Sequence, residues 1–276
     1  MLLPVIAVLS ALITILMLIF GVISHIFYIP LAFAVNFLVL TLCCIIFFFI
    51  CTRLIDTKKK CVKHSPFFRT CSNLIMDTVV QCLRIRLHVS GMEKLPEEKF
   101  LLVGNHRGAM DPLLTMNVLR KYHMGFVAKK EIYRIPVIGR LMHKCFCLSL
   151  DRENIREEVK TINQATDLVK TQTASIGIYP EGTRNPTNEL LPFMNGAFKI
   201  AKKAECPIVV AVIRNPELIM KRAPFRKTDV YLDFIDVISK DFVKKNNTPQ
   251  ISEQVRKMIE THLSQQLQST LTGFLW

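Results

Sequence analysis

The stretch FLLVGNHRGAMD, Phe100 to Asp111, decides how the rest of the chain is read. Its first four residues form an apolar run of strand type, a histidine stands just beyond it, and a carboxylate follows five residues later. A histidine at the exit of a buried strand sits on a rigid edge with its ring directed outwards, the placement a general base requires. On this reading His106 is the catalytic base and Asp111 its orienting partner. Five residues on a regular helix would put the two on different faces, so the pair predicts a turn or helix start between them, eased by Gly108. With seven histidines in the chain, a chance His-x4-Asp arises in roughly one such sequence in three, so the pair needs supporting context.

Some of that context lies upstream. Residues 1 to 52 contain no Asp, Glu, Lys or Arg, although the chain carries 36 Lys and Arg and 22 Asp and Glu. Leu2 to Ile23 and Leu31 to Cys51 are each long enough to cross a hydrocarbon core, which takes about 20 helical residues. Ser24 to Pro30 suffices for a tight reversal, and Pro30 would break a continuous helix. A membrane-embedded helical hairpin over residues 1–52 is therefore expected. A cleaved signal peptide fits poorly, because no basic segment follows Met1 and the apolar block is too long. Arg53, Lys58, Lys59, Lys60 and Lys63 crowd the exit of the second segment and place it on the cytoplasmic side. The net charge of +14 suits the anionic surface of that leaflet and, with an anchor in hand, argues against a nucleic-acid partner. Nine cysteines without a disulfide framework fit a reducing compartment.

Residues 53–84 read as a basic linker followed by an amphipathic helix marked by Leu74, Ile75, Val79, Val80 and Leu83. Residues 85–276 then alternate strand-like and helix-like signals, the pattern of one α/β domain. Strands are expected at Ile85–Val89, Phe100–Val103, Gly125–Ala128, Cys145–Leu150, Ala174–Tyr179, Pro207–Ile213 and Val230–Val237, the last closing the sheet. Helices are expected at Pro112–Arg120, Ile155–Val169, Gly196–Ala204 and Ile251–Leu263. His88 falls on the polar face of its strand and His262 beside a helix stripe, so neither is a candidate for chemistry. His143, Cys145 and Cys147 would share one face of a strand, but no second Cys/His pair with zinc-like spacing accompanies them. They are assigned to the core, and no metal is expected.

A second constellation, YPEGTRN, Tyr179 to Asn185, also follows an apolar strand at the end where α/β sheets commonly bind ligands. Gly182 permits close backbone approach, and Arg184 offers a planar fork of donors suited to phosphate. Between the two constellations lies FVAKKEIYRIPVIG, Phe126 to Gly139, in which Lys129 or Lys130 could complete a phosphate site.

Together these stretches resemble the phospholipid and glycerolipid acyltransferase family. NHRGAMD is similar to its first motif, FVAKKEIYRIPVIG to its second and YPEGTRN to its third. CPIVVAVI, Cys206 to Ile213, resembles its fourth, and SLDREN, Ser149 to Asn154, its strand ending in Asp-Arg. The resemblance covers about residues 85 to 215, in the right order and spacing. It implies a mixed sheet flanked by helices and an amino-terminal two-helix membrane motif. The sequence departs from the pattern at Gly108, where Ser is common, and at Met194-Asn195, where basic residues often precede the Gly-Ala of the next helix.

The resemblance implies transfer of a fatty acyl group to the sn-2 hydroxyl of 1-acyl-sn-glycerol 3-phosphate, giving phosphatidic acid in phospholipid biosynthesis. The donor would be acyl-CoA or acyl-ACP as co-substrate, with no other cofactor. His106 would take the hydroxyl proton and Asp111 would stabilise the resulting imidazolium. Arg184, with Lys129 or Lys130, would hold the acceptor phosphate, supported by Asn105, Glu181, Gly182 and Thr183. Glu181 would orient Arg184 or meet the acceptor's glycerol, and backbone amides of the NHRGAMD turn would face the thioester oxyanion. Expected partners are the two substrates, a phospholipid membrane and acyl carrier protein. The expected location is a bacterial inner membrane with the catalytic domain on the cytoplasmic face. Two alternatives remain open: a related acyltransferase acting on glycerol 3-phosphate, another lysophospholipid or a lyso-aminolipid, and a non-catalytic protein that binds anionic lipid. The presence of His106, Asp111 and Arg184 speaks against the second. A thioester hydrolase lacks its Gly-x-Ser-x-Gly elbow here.

Overall fold

Beyond residue 84 the strand-like runs are too short for buried helices, and those around Leu102 and Val209 are too continuous for half-exposed strands, so the central ones suit a sheet covered on both faces. In the computed structural model, which describes residues 2–57, 61, 65–151, 154–187 and 189–273, they pair into one sheet. The helices in chain order are α1 (Leu2–Ile19), α2 (Ile29–Arg53), α3 (Pro66–Cys82), α4 (Asp111–Val118), α5 (Ile138–Lys144), α6 (Ile155–Lys170), α7 (Lys199–Ala204), α8 (Ile219–Arg222), α9 (Lys240–Lys245) and α10 (Thr248–Gly273). The strands are β1 (Ile85–Ser90), β2 (Leu101–Gly104), β3 (Gly125–Lys129), β4 (Leu148–Leu150), β5 (Ile176–Ile178), β6 (Ile208–Arg214) and β7 (Thr228–Ile238). Lys58, Lys59, Lys60 and Lys63 of the basic cluster, and Arg152 and Glu153 of SLDREN, lie outside the described residues.

The strand order is β1-β7-β6-β2-β5-β3-β4. All neighbours run parallel except β6 and β7. Alternate residues of each strand feed opposite faces. Leu101, Val103, Ile176, Ile208 and Val210 pack with residues of α6, α7 and α10. Phe100, Leu102, Phe126, Val209 and Leu232 pack with Met76 of α3 and Leu114 of α4. The result is a helix–sheet–helix sandwich, the mixed α/β architecture expected.

Two expectations are corrected. β7 does not close the sheet but lies inside it, between β1 and β6. The strand expected at Cys145–Leu150 shrinks to Leu148–Leu150, because α5 runs on to Lys144 and Phe146 turns with φ 61°. His143 and Cys145 therefore never share a strand face. Burial pushes the Cys147 thiol up to about 12 and Cys145 in the same direction, so both stay protonated and pack as apolar groups. As expected, no continuous helix runs through the amino-terminal region: α1 ends at Ile19, and Pro30 sits in the first turn of α2, where its missing N–H costs nothing.

The hairpin is formed by α1 and α2, of 18 and 25 residues, both apolar enough to be candidate membrane spans. Most of their large apolar side chains face outwards. Asn36 of α2 donates to Thr14 Oγ1 of α1 at 3.0 Å, a polar latch of the kind that pairs helices in an apolar medium. Arg140 of α5 ties the end of the hairpin to the rest of the fold: its guanidinium donates to the carbonyls of Thr52 (3.2 Å) and Arg53 (2.9 Å) in the last turn of α2. Phe67 at the start of α3 meets Phe47 of α2 edge to face.

On the face carrying α10, Asp233 of β7 accepts from Ser90 at 2.6 Å and Arg214 at 3.1 Å, and meets His262 at 3.3 Å. Burial alone would raise its pKa, but these partners outweigh it and hold the carboxyl below the usual range. A carboxyl depressed in the folded state stabilises above the unfolded value and loses that contribution as pH falls through the folded one. Asp233→Asn is therefore expected to lower the melting temperature at pH 7, by the equivalent of about 1–3 kcal/mol. The gap to the unaltered protein should narrow below about pH 4. A gap that does not change with pH would locate the stabilisation elsewhere.

Candidate functional site

Because β2, β5 and β3 are parallel neighbours, their carboxyl ends line one edge of the sheet, and the three motif-bearing segments leave from it side by side. The first, after β2, is anchored by Asn105. Its side chain donates to Ile213 O at 3.0 Å and accepts from Ile213 N at 2.8 Å, continuing the β2–β6 ladder by one side-chain rung. Asn105 is thus a buried brace rather than a group open to a ligand.

His106 follows in the turn that leads into α4, whose first residue is Asp111. Asp111 is fully buried, and its Oδ2 accepts from His106 Nδ1 (2.8 Å), Arg107 N (2.7 Å) and Gly108 N (2.8 Å). An ionised carboxylate only accepts, so Nδ1 carries the proton and the lone pair sits on Nε2. The expected turn is present, but Gly108 serves it by small size. A Cβ there would lie 3.1 Å from the Pro216 carbonyl carbon and 3.2 Å from Asp111 Oδ1. Asp111 Oδ1 is buried without a hydrogen-bond donor among the described residues.

The second segment, YPEGTRN, is tied to the first by Glu181, which is only 5 % exposed. One carboxylate oxygen accepts from His106 N at 2.9 Å and the other from Leu191 N at 3.0 Å and Asn185 Nδ2 at 3.4 Å. Asn185 N donates to His106 O at 2.7 Å, so the two loops meet as a short ladder. Gly182 takes φ 74°, which a side chain would strain. Thr183 and Arg184 project into solvent, and Arg184 makes no side-chain hydrogen bond or ion pair among the described residues. Two expectations change. Glu181 supports the backbone of His106 and does not contact Arg184. The amides of residues 106, 107 and 108 are already directed at carboxylates, so they are not the oxyanion donors.

Lys129 and Lys130 leave the same edge one strand further out. Lys130 is held at 2.9 Å by Asp151, which keeps its ammonium pKa above the ordinary lysine value, whereas Lys129 stands 3.7 Å from Glu131 and is largely exposed. Just beyond, Val137 adopts φ 66° and ψ −58°, and Ile138 N donates to Pro136 O at 2.7 Å, a tight and strained turn for a β-branched residue. Among the described residues no group of three or more His, Cys, Asp or Glu is gathered to hold a metal.

Sequence reasoning missed two parts of the arrangement. Arg107 is buried and forks onto Glu217 (3.1 and 2.8 Å) while also donating to Pro186 O (2.8 Å), clamping three loops together. Tyr179 lays its ring against the His106 imidazole. Glu217 gave no local signal, being 110 residues from Arg107. Tyr179 was readable as an aromatic at the end of an apolar run.

Comparison with known proteins gives a consistent picture. A protein-family model described as Acyltransferase matches residues 86–214, the span that holds all three segments. A 1-acyl-sn-glycerol-3-phosphate acyltransferase of Borreliella burgdorferi is 32% identical over 190 residues, covering 64% of this chain and 73% of that protein. The Saccharomyces cerevisiae protein of the same name is 28% identical over 184 residues, covering 65% of this chain, and the match spans 60% of the yeast protein's length. The crystal structure of the 1-acyl-sn-glycerophosphate (LPA) acyltransferase of Thermotoga maritima shares the fold, with a TM-score of 0.61 at 18% identity over 95% of this chain and 97% of that one. With its motif segments along one sheet edge and this degree of relatedness, the chain belongs to the acyltransferase family that includes the 1-acyl-sn-glycerol-3-phosphate acyltransferases.

Proposed function

We propose that the protein transfers a fatty acyl group from the thioester of coenzyme A or acyl carrier protein to the sn-2 hydroxyl of 1-acyl-sn-glycerol 3-phosphate, forming phosphatidic acid. The observation that carries this reading is the His106–Asp111 pair, with Nε2 free to accept a proton, on the same edge as the exposed Arg184. The relatives named for this activity support it.

A hydroxyl is almost fully protonated at neutral pH, so its attack on a carbonyl needs a base in place. His106 Nε2 takes the proton as the acceptor oxygen bonds to the thioester carbon. The tetrahedral intermediate then expels the thiolate, which recovers the proton from the imidazolium. Asp111 stabilises that imidazolium through Nδ1. No enzyme nucleophile is required, because the acceptor itself attacks. Arg184 is the principal phosphate ligand, joined by Lys129. Lys130 would have to leave a 2.9 Å ion pair with Asp151, closer than the 3.7 Å contact of Lys129 with Glu131.

Residues 1–52 serve as the membrane hairpin, 53–84 as linker and amphipathic helix, and 85–276 as the catalytic region on the cytosolic face. A site at the bilayer surface spares each acyl methylene a transfer to water worth about 0.8 kcal/mol. The relatives include yeast and spirochaete proteins, so they lend no particular support to the bacterial inner membrane expected from sequence.

The purified full chain, assayed with labelled acyl donors across several lysolipid and glycerol 3-phosphate acceptors, tests the activity directly. His106→Ala should lower kcat by at least about 100-fold, and retention of normal acyl transfer would remove His106 from its role. Arg184→Ala is expected to raise the KM for the phosphate acceptor about tenfold or more with little change for the thioester. The reverse pattern would move the phosphate site. Glu181→Gln, which turns one acceptor of backbone N–H groups into a donor, should destabilise by about 1–3 kcal/mol and lower kcat more than it raises either KM. A pure acceptor KM effect would instead put Glu181 in contact with the lipid.

A further inference from the structure

His106 is one of three aromatic rings in a column. Its imidazole lies 4.4 Å from the ring centroid of Tyr179 with the planes 8° apart, and Tyr179 lies 5.4 Å from Phe126 with the planes 23° apart. Phe126 is fully buried in β3 and stands opposite Gly177 of β5 in the strand register. A Cβ on Gly177 would fall 2.3 Å from the Phe126 ring, so the column rests on a place in the sheet that only glycine leaves open. The imidazole is thus held on two sides, by Asp111 along its edge and by the Tyr179 ring across its face.

We propose that Tyr179 is a positioning residue for His106: its ring keeps the imidazole in line with the Asp111 carboxylate and favours the cationic form that arises when Nε2 takes a proton. The proposal rests on the reading of His106 as the base. The face of an aromatic ring is electron-rich and attracts a cation, most strongly where water is excluded. Neutral and protonated imidazole therefore gain unequally from the stack. The phenol hydroxyl is buried, and burial and the Asp111 charge together push its pKa well above the ordinary tyrosine value, so Tyr179 stays neutral and donates no proton to the reaction. The other titratable groups around the imidazole are accounted for: Asp111 on Nδ1, Glu181 on the His106 backbone N–H, and Arg107 engaged by Glu217.

The test is acyl transfer by the full chain in detergent, from acyl-CoA to 1-acyl-sn-glycerol 3-phosphate, between pH 5 and 9. The variants are Tyr179→Phe, Tyr179→Met and His106→Ala. Tyr179→Phe keeps the ring and should hold kcat within about threefold, with an unchanged pH profile. Tyr179→Met keeps the bulk without the ring. It should lower kcat by roughly 10- to 100-fold with both KM values little changed, and move the acidic limb of kcat/KM down by about 0.5–1 pH unit. The sign follows because a less favoured imidazolium lets the base form persist to lower pH. Melting temperatures show whether Tyr179→Met folds. If it does not, Phe126→Leu decides by the same two readouts, with smaller changes in the same directions. An unaltered kcat and acidic limb without the ring would overturn the proposal, as would a Tyr179→Phe variant as impaired as Tyr179→Met, which would place the role in the hydroxyl. An active His106→Ala protein would overturn the base reading and this proposal together. An inactive His106→Ala beside an unaltered Tyr179→Met would overturn this proposal alone.

Discussion

A carboxylate taken out of water must be met by donors, and Asp111 satisfies that demand almost entirely through one oxygen. Three donors converge on Oδ2, two of them backbone amides of the turn that presents His106. The same contact therefore shapes the loop, fixes the tautomer and supplies the negative charge that a protonated imidazole needs. Everything near the site is arranged around keeping this turn rigid. Asn105 fastens its start to β6, Glu181 fastens its backbone to the loop after β5, and the Arg107–Glu217 fork fastens it to the segment after β6.

That concentration of braces separates two kinds of residue within the motifs. Asn105, Glu181 and Arg107 are buried and fully engaged, so they hold geometry. Arg184 and Lys129 are exposed, Lys129 with only the 3.7 Å contact to Glu131. On the proposed function, a lipid phosphate would meet exposed, solvated cations beside a histidine held by buried partners. This division suits the proposed reaction, in which the acceptor must be gathered from a surface but its hydroxyl must attack in only one orientation.

Local pattern revealed those features of the chain that local pattern controls. The continuous apolar runs around Leu102 and Val209 mark strands buried on both faces, and the charge-free first 52 residues mark the hairpin. The His106–Asp111 pair was legible because turn and partner lie within six residues. What was not legible depends on contacts far apart in sequence. The position of β7 inside the sheet follows from packing, since chain order does not set strand order. The alternation of Cys145 and Cys147 is compatible with a strand until a positive φ at Phe146 breaks it. Asn105 meets Ile213 across 108 residues, and the role of Glu181 became visible only once β2 and β5 were neighbours.

The Glu181 carboxylate also has a consequence for how the protein breathes. It joins the amides of His106 and Leu191, while the Asn185 amide answers the His106 carbonyl, so neither loop can open without exposing groups of the other. Loops tied in this way behave as one cooperative unit in local unfolding. Loss of order after β5 would release the histidine after β2 in the same event, and hydrogen exchange at these three amides would proceed at a common rate. The order of the loop after β5 and the setting of His106 are thus coupled through the same hydrogen bonds.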